Sequence, residues 1–243
     1  MRIDLNSKIF TKPIAHRGLW GGKILENSLT AYNNAILHGY PIEIDLYSST
    51  DGEIFCFHDK TLNRMTGVDG YIYQKSSKEI NSYRLLNSDE KIPTLREVLK
   101  LCENKVPLLI EIKDQPDKKI VERILDILKD YSGEFAIQSF NPLYINKVKK
   151  LAPEFIRGIL SSNDYEDLKN EKPHIRFIIK NMALNFLIKP DFVSYKYTGI
   201  PLSKRKTKNK AVLSWTVTDE KTYARIKPHV TNVIFENFIP DEQ

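Results

Sequence analysis

Short apolar runs recur along the chain, separated by stretches in which apolar residues return every three or four positions. The first run covers residues 13–16, and a helical pattern follows at 27–38. The second, 42–47, leads through the turn signal Asp51-Gly52 to a hairpin partner at 53–58. Residues 59–91 read as an irregular polar stretch. Pro93-Thr94 then opens a helix running through Cys102. Strands at 106–113, 135–140, 155–160, 192–197, 211–217 and 233–235 alternate with helices at 117–131, 142–151, 176–188 and 219–227, and a short basic connection precedes 211. Leaving the hairpin strand aside, eight strands alternate with helical segments. Such alternation implies a parallel sheet, because parallel strands need a crossover and the crossover is usually a helix. An open nucleotide-binding sheet would carry G-x-G-x-x-G after the first strand, and this chain does not. Eight units in 243 residues fit a closed TIM-type (β/α)₈ barrel with a short insertion after the second strand. The chain stops soon after the eighth strand, so the final helix is expected to be missing. No linker or repeat interrupts the pattern, and residues 1–243 read as a single barrel domain.

Composition narrows the class. Charged residues at 28% beside 41% hydrophobic residues fit a globular protein with a sizeable core. The net charge of +6 favours anionic partners, but much of it sits in the run from Lys204 to Lys210. That run reads as a solvated basic face: no aromatic residues interleave with it, so nucleic-acid binding is not expected. Cys56 and Cys102 lie in apolar surroundings and lack any metal or redox spacing, so both read as small buried hydrophobes. The N-terminus lacks the apolar stretch of a signal peptide, so a cytoplasmic location is expected. The apolar stretch 175–188 is too short and too polar to span a bilayer, so no stable membrane insertion is expected.

Barrel chemistry gathers at the C-terminal ends of the strands. Glu43 and Asp45 are two apart on one strand and share a face, while Ile42, Ile44 and Leu46 face the helices. Glu111 and Lys113 repeat the pattern between Ile110 and Ile112. Three inward carboxylates repel unless a cation or protons hold them. A hard divalent ion with oxygen ligands, Mg²⁺ or Ca²⁺, meets that need; an ion-pair network with Lys113 and Arg17 meets it equally well. Of five histidines, His16 and His58 stand at strand ends. One such histidine is more often structural; two, beside carboxylates and cations, suit acid/base work on a phosphate. Arg17 can fork onto a phosphate, and Lys113 can offset charge on a phosphoryl oxygen.

Several blocks then form a recognisable series. Ala15-His16-Arg17-Gly18, Leu25-Glu26-Asn27-Ser28, Ile42-Glu43-Ile44-Asp45, Asp51-Gly52, His58-Asp59 and Leu62-Asn63-Arg64-Met65-Thr66 resemble the N-terminal signature of the glycerophosphodiester phosphodiesterases. Ile92-Pro93-Thr94-Leu95, Glu111-Ile112-Lys113, Gln138-Ser139-Phe140 and Ser214-Trp215-Thr216-Val217 resemble its later blocks, in the same order. The resemblance covers nearly the whole chain and is most specific in the first third. It implies that His16 and His58 form the acid/base pair. By the same likeness Glu43, Asp45 and Glu111 hold the metal, and Arg17 and Lys113 contact the phosphate. It also implies metal-dependent cleavage of a small-molecule glycerophosphodiester to glycerol phosphate and an alcohol, with a cyclic phosphate as one route. Asn27 reads as a helix N-cap, and Trp215 as either a pocket wall or core. Two departures stand out. Glu236 stands near the position where the family usually has an aspartate, and the segment between His58 and Pro93, which resembles the family's insertion, is short.

Two other functions compete. A lipid-cleaving phospholipase on a similar barrel would need an apolar rim; residues 177–187 raise that idea, but their helical spacing reads as packing against the barrel. A non-catalytic phosphoester-binding protein would be expected to lose a histidine or a carboxylate, and none is missing.

Overall fold

The computed structural model describes residues 4–169, 171–208 and 210–241. Met1, Arg2 and Ile3 of the N-terminus and Asn209 of the basic run fall outside them. Nine strands form one sheet: β1 (Ile14–Ala15), β2 (Ile42–Ser48), β3 (Ile54–Cys56), β4 (Leu108–Ile112), β5 (Phe135–Ser139), β6 (Arg157–Ser161), β7 (Phe192–Lys196), β8 (Ala211–Val217) and β9 (Asn232–Phe235). All but β3 pair in parallel with both neighbours, and β1 joins both β2 and β9, so the eight-stranded barrel is closed. The antiparallel strand β3 lies along the far end of β2, with Leu46 opposite Cys56.

Alternation along the strands builds two layers. Ile42, Ile44 and Leu46 of β2, with Leu108, Ile110 and Ile112 of β4, pack outward against Val98, Ile124 and other helix residues. Inside, Ile14, Leu109, Ala136, Phe192, Leu213 and Ile234 fill an apolar floor. A short helix, Lys8–Thr11, adds Ile9 and Phe10 to that floor. Asn232 ties it down by donating to the carbonyls of Ile9 and Lys12, at 2.8 and 2.6 Å. Above this floor the inward positions become polar, with Glu43, Asp45, Glu111 and Gln138 all buried.

The predicted helices form with shorter limits, at Leu29–Leu37, Leu95–Cys102, Ile120–Leu128, Pro142–Leu151 and Glu220–Ile226. Thr94 and Glu97 make a capping box on the second, and Asn141 caps the fourth with Pro142 in its first turn. Two expectations fail. Residues 59–91 are not irregular throughout: they hold helices Asn63–Thr66 and Ser77–Ser82, the latter set by a Ser76/Glu79 capping box. The helix at 176–188 is broken into Pro173–Asn181 and Asn185–Ile188, because Met182 turns into the left-handed region at φ 51° and buries its side chain. Phe177 and Phe186 consequently face outward, and packing on the barrel takes chiefly Met182 and Ile188. Past Phe235 the described residues carry no helix. No helix among the described residues is long and apolar enough to cross a membrane.

Candidate active site

The parallel register sets Asp45 directly beside Glu111, and Glu111 beside Gln138. Glu43 lies one inward position below Asp45. One carboxylate oxygen from each of Glu43, Asp45 and Glu111 lies within 4.8 Å of the others. Lys113, at the end of β4, places its Nζ 3.1 Å from Asp45 and 2.9 Å from Glu111. Arg17 sits across the mouth, with its Nη1 2.9 Å from Glu26 and its Nε 3.6 Å from Asp45.

A tight turn after β1 brings Arg17 there. Arg17 and Gly18 both adopt left-handed backbone, at φ 58° and 85°. At Gly18 a Cβ would stand 2.8 Å from the Ala31 carbonyl carbon, so only glycine fits without a shift. The turn aims the Arg17 backbone N–H at Glu43, 3.2 Å away. Asn27, also left-handed at φ 51°, is not the helix cap; Ser28 takes that role by accepting from Ala31 N–H. The side chain of Asn27 turns inward instead, accepting from Tyr32 Oη at 2.7 Å and donating to Asp45 at 3.1 Å. Tyr32 thereby fixes the amide that steadies Asp45.

The charge balance at this roof is uneven. Three carboxylates face two cations. Burial pushes Asp45 up, but Lys113, His58 and Arg17 outweigh it and hold its carboxyl below the usual range. Burial, with Asp45 and Glu111 beside it, pushes Glu43 far up, and burial raises Glu111 against the pull of Lys113. Lys113 is raised, since Asp45 and Glu111 overcome its burial. One carboxylate is therefore surplus and calls for a proton or a further cation. All donors in the set are hard oxygens, and the buried Gln138 Oε1, next in register to Glu111, has no hydrogen-bond partner. Oxygen donors with one negative charge in excess suit a divalent cation of the Mg²⁺ or Ca²⁺ type.

Both histidines stand at this roof, near enough to Asp45 to help lower its pKa. Each is held by a carboxylate at Nδ1: His16 by Glu236 at 2.6 Å, and His58 by Asp59 at 2.7 Å. A carboxylate only accepts, so Nδ1 carries the proton and Nε2 keeps its lone pair. Burial holds His16 below the ordinary imidazole range despite Glu236. Burial and Lys113 push His58 down to about 4. Asp59 is also gripped by Arg64, through Nε at 2.5 Å, and Arg64 reaches Glu26 as well, at 2.6 Å. Glu26 thus binds both Arg17 and Arg64.

All seven chemistry-bearing residues anticipated from the sequence converge here. Trp215 stands on β8 beside Lys196 in register, half-buried, with Phe140 edge-on at 5.5 Å. Sequence reading gave no role to Glu236, Asp59, Arg64, Glu26 or Gln138. Asp59 adjoins His58, and the inward alternation of β5 marks Gln138; Glu236 and Arg64 are brought in by the fold alone.

A family model described as "Glycerophosphoryl diester phosphodiesterase family" matches residues 16–239. The chain belongs to that family. It is a phosphoric diester hydrolase by class. The glycerophosphodiester phosphodiesterase of Caldanaerobacter subterraneus is 34% identical over 164 residues, 62% of this chain and 66% of its own length. Human glycerophosphodiester phosphodiesterase 1 is 27% identical, covering 86% of this chain and 73% of its own. Among solved structures, the glycerophosphodiester phosphodiesterase of Thermotoga maritima superposes with a TM-score of 0.70 at 26% identity, over 91% and 92% of the two chains. A phosphodiesterase of Oleispira antarctica in complex with sn-glycerol-3-phosphate shares the fold, with a TM-score of 0.78 at 24% identity over 95% of each chain.

Proposed function

We propose that the chain hydrolyses glycerophosphodiesters to glycerol phosphate and an alcohol, with His16 and His58 moving the protons and Glu43, Asp45 and Glu111 holding Mg²⁺ or Ca²⁺. One observation carries this reading: two neutral imidazoles, each oriented by a carboxylate, stand over a roof with a surplus carboxylate and two fixed cations. When bound, the divalent ion supplies Lewis-acid charge that lowers the pKa of a hydroxyl and shares phosphoryl charge. Arg17 and Lys113 hold phosphoryl oxygens in line. One histidine, through Nε2, takes the proton of the glycerol hydroxyl next to the phosphate as that oxygen attacks phosphorus. The other protonates the departing alcohol. Water then opens the cyclic phosphate with the two roles exchanged. Trp215 forms part of the pocket wall.

The test is turnover of a panel of glycerophosphodiesters in chelator and after return of Mg²⁺ or Ca²⁺. Chelation is expected to abolish turnover and either metal to restore it, with deacylated diesters preferred over intact phospholipid. His16→Ala or His58→Ala is expected to lower kcat by roughly 10²–10⁴-fold. Full turnover in excess chelator, with metal content verified as negligible, overturns the metal assignment. A substrate lacking the adjacent hydroxyl, cleaved as fast as its parent, overturns internal attack and leaves water as the nucleophile.

A further inference from the structure

Two sequence features remain outside the catalytic cluster: the basic run that begins at Lys204 and the apolar stretch at 175–188. The fold brings them together. Lys206 donates through Nζ to the Lys180 carbonyl at 3.0 Å and lies over the Tyr195 ring, fastening the basic segment to the helix Pro173–Asn181. Between them opens a cleft of about 830 Å³. The helical segment lines it with Phe177, Met182 and Phe186, and with Lys189 just past the second helix; the basic segment lines it with Arg205, Lys206, Lys208 and Lys210. No aspartate or glutamate is among its described lining residues. Phe177 is 64% exposed and Phe186 76%, and the adjoining Leu187 is 41% exposed.

Large apolar side chains that stay in water beside five cations call for a partner that is apolar within and anionic at its rim. We propose that this flank docks the protein onto an anionic lipid bilayer, the phenyl rings entering the headgroup–acyl boundary and the lysines and Arg205 meeting lipid phosphates. Lysine stems suit this setting, since they cover apolar surface while their ammonium groups reach the headgroups. A nucleic acid would satisfy the cations but leave the exposed Leu187 without an apolar partner. The attachment is interfacial and reversible, and it shares no residue with the roof of the barrel.

Sedimentation of the full chain with phosphatidylglycerol vesicles and with phosphatidylcholine vesicles tests this. Binding to the anionic vesicles alone is expected, weakening as salt is raised because exposed charges are screened. Arg205→Gln with Lys208→Gln is expected to weaken binding roughly fivefold per cation removed. Phe177→Ser with Phe186→Ser is expected to reduce it further, with turnover of a soluble diester unchanged in both double variants. Equal binding to both vesicle types, or undiminished binding by both double variants, overturns the proposal. So does tighter binding of a single-stranded oligonucleotide than of anionic vesicles at the same salt.

Discussion

Glu43→Gln separates a metal site from a structural ion-pair network. The nearest oxygens of Glu43, Asp45 and Glu111 lie within 4.8 Å of one another. Two unit charges at that separation repel by about 3.5 kcal/mol at an effective dielectric of about 20. Lys113 is bonded to Asp45 and Glu111, whereas among the described residues Glu43 accepts from the Arg17 backbone N–H alone. Burial, with Asp45 and Glu111 beside it, pushes the Glu43 carboxyl well above its usual range, so in the absence of metal its charge is disfavoured. Glutamine is then a near-isosteric replacement that still accepts from Arg17, and stability in chelator should change by less than about 1 kcal/mol. With metal the two proteins should part. A cation at a hundred times its Kd stabilises the native state by about 2.7 kcal/mol. For a chain of this size that raises Tm by roughly 5–10 °C. Glutamine offers a neutral oxygen where an anionic one is needed, so most of that rise should vanish. Thermal unfolding in chelator, then with Mg²⁺ or Ca²⁺, measures both arms. If Glu43→Gln melts many degrees lower in chelator while the parent ignores both metals, the carboxylates are structural and the reasoning fails.

Three further outcomes follow from the same geometry. Glu236→Gln should lower kcat roughly tenfold or more with little change in KM, since it removes the charge that orients and supports His16; steady-state kinetics giving an unchanged kcat would detach this pair from catalysis. His58 takes up a proton at about 4 in the fold but near 6.5 when unfolded. Between those values the unfolded chain binds more protons, so stability is full above about 6.5 and drains as pH falls towards 4. The loss is on the order of 2 kcal/mol once discounted for a side chain 32% exposed. Urea midpoints in chelator should therefore drop more between pH 7 and 4.5 for the parent than for His58→Gln, and equal drops would contradict the assignment. Gly18→Ala places a Cβ 2.8 Å from the Ala31 backbone at φ 85°, and should cost roughly 2–5 kcal/mol by urea unfolding; a loss under about 0.5 kcal/mol would show that the turn relaxes freely.

The strands were legible as short apolar runs because a barrel strand is buried on both faces, and the alternation of side chains within one of them revealed Glu43 and Asp45 as an inward pair. Helix limits were less so. The break at Met182 has no glycine or proline to announce it, since it rests on a non-glycine residue in the left-handed region. The capping box Ser76-Ser77-Lys78-Glu79 stood in the sequence, but the helix it starts is short and has few apolar positions to display a period. Asn27 shows local rules competing. Cap preference alone favours either Asn27 or Ser28, and the tertiary demand for a donor to Asp45 decides between them.

The orienting partners were hidden for a different reason. His16 and Glu236 are 220 residues apart, and no local pattern reports on such a pair. Barrel closure makes them neighbours. Strand β1 pairs with β9 through Ile14 with Ile234 and Ala15 with Phe235. The next residue of each strand is His16 and Glu236, and the His16 N–H continues the ladder to the Phe235 carbonyl at 2.9 Å. The orientation of the imidazole is thus fixed by the last rung of the seam that closes the barrel. A slip of one residue there would turn His16 or Glu236 to the opposite face. Register at this seam, which the apolar floor of Ile14 and Ile234 enforces from below, therefore links the packing of the core to the chemistry at the roof.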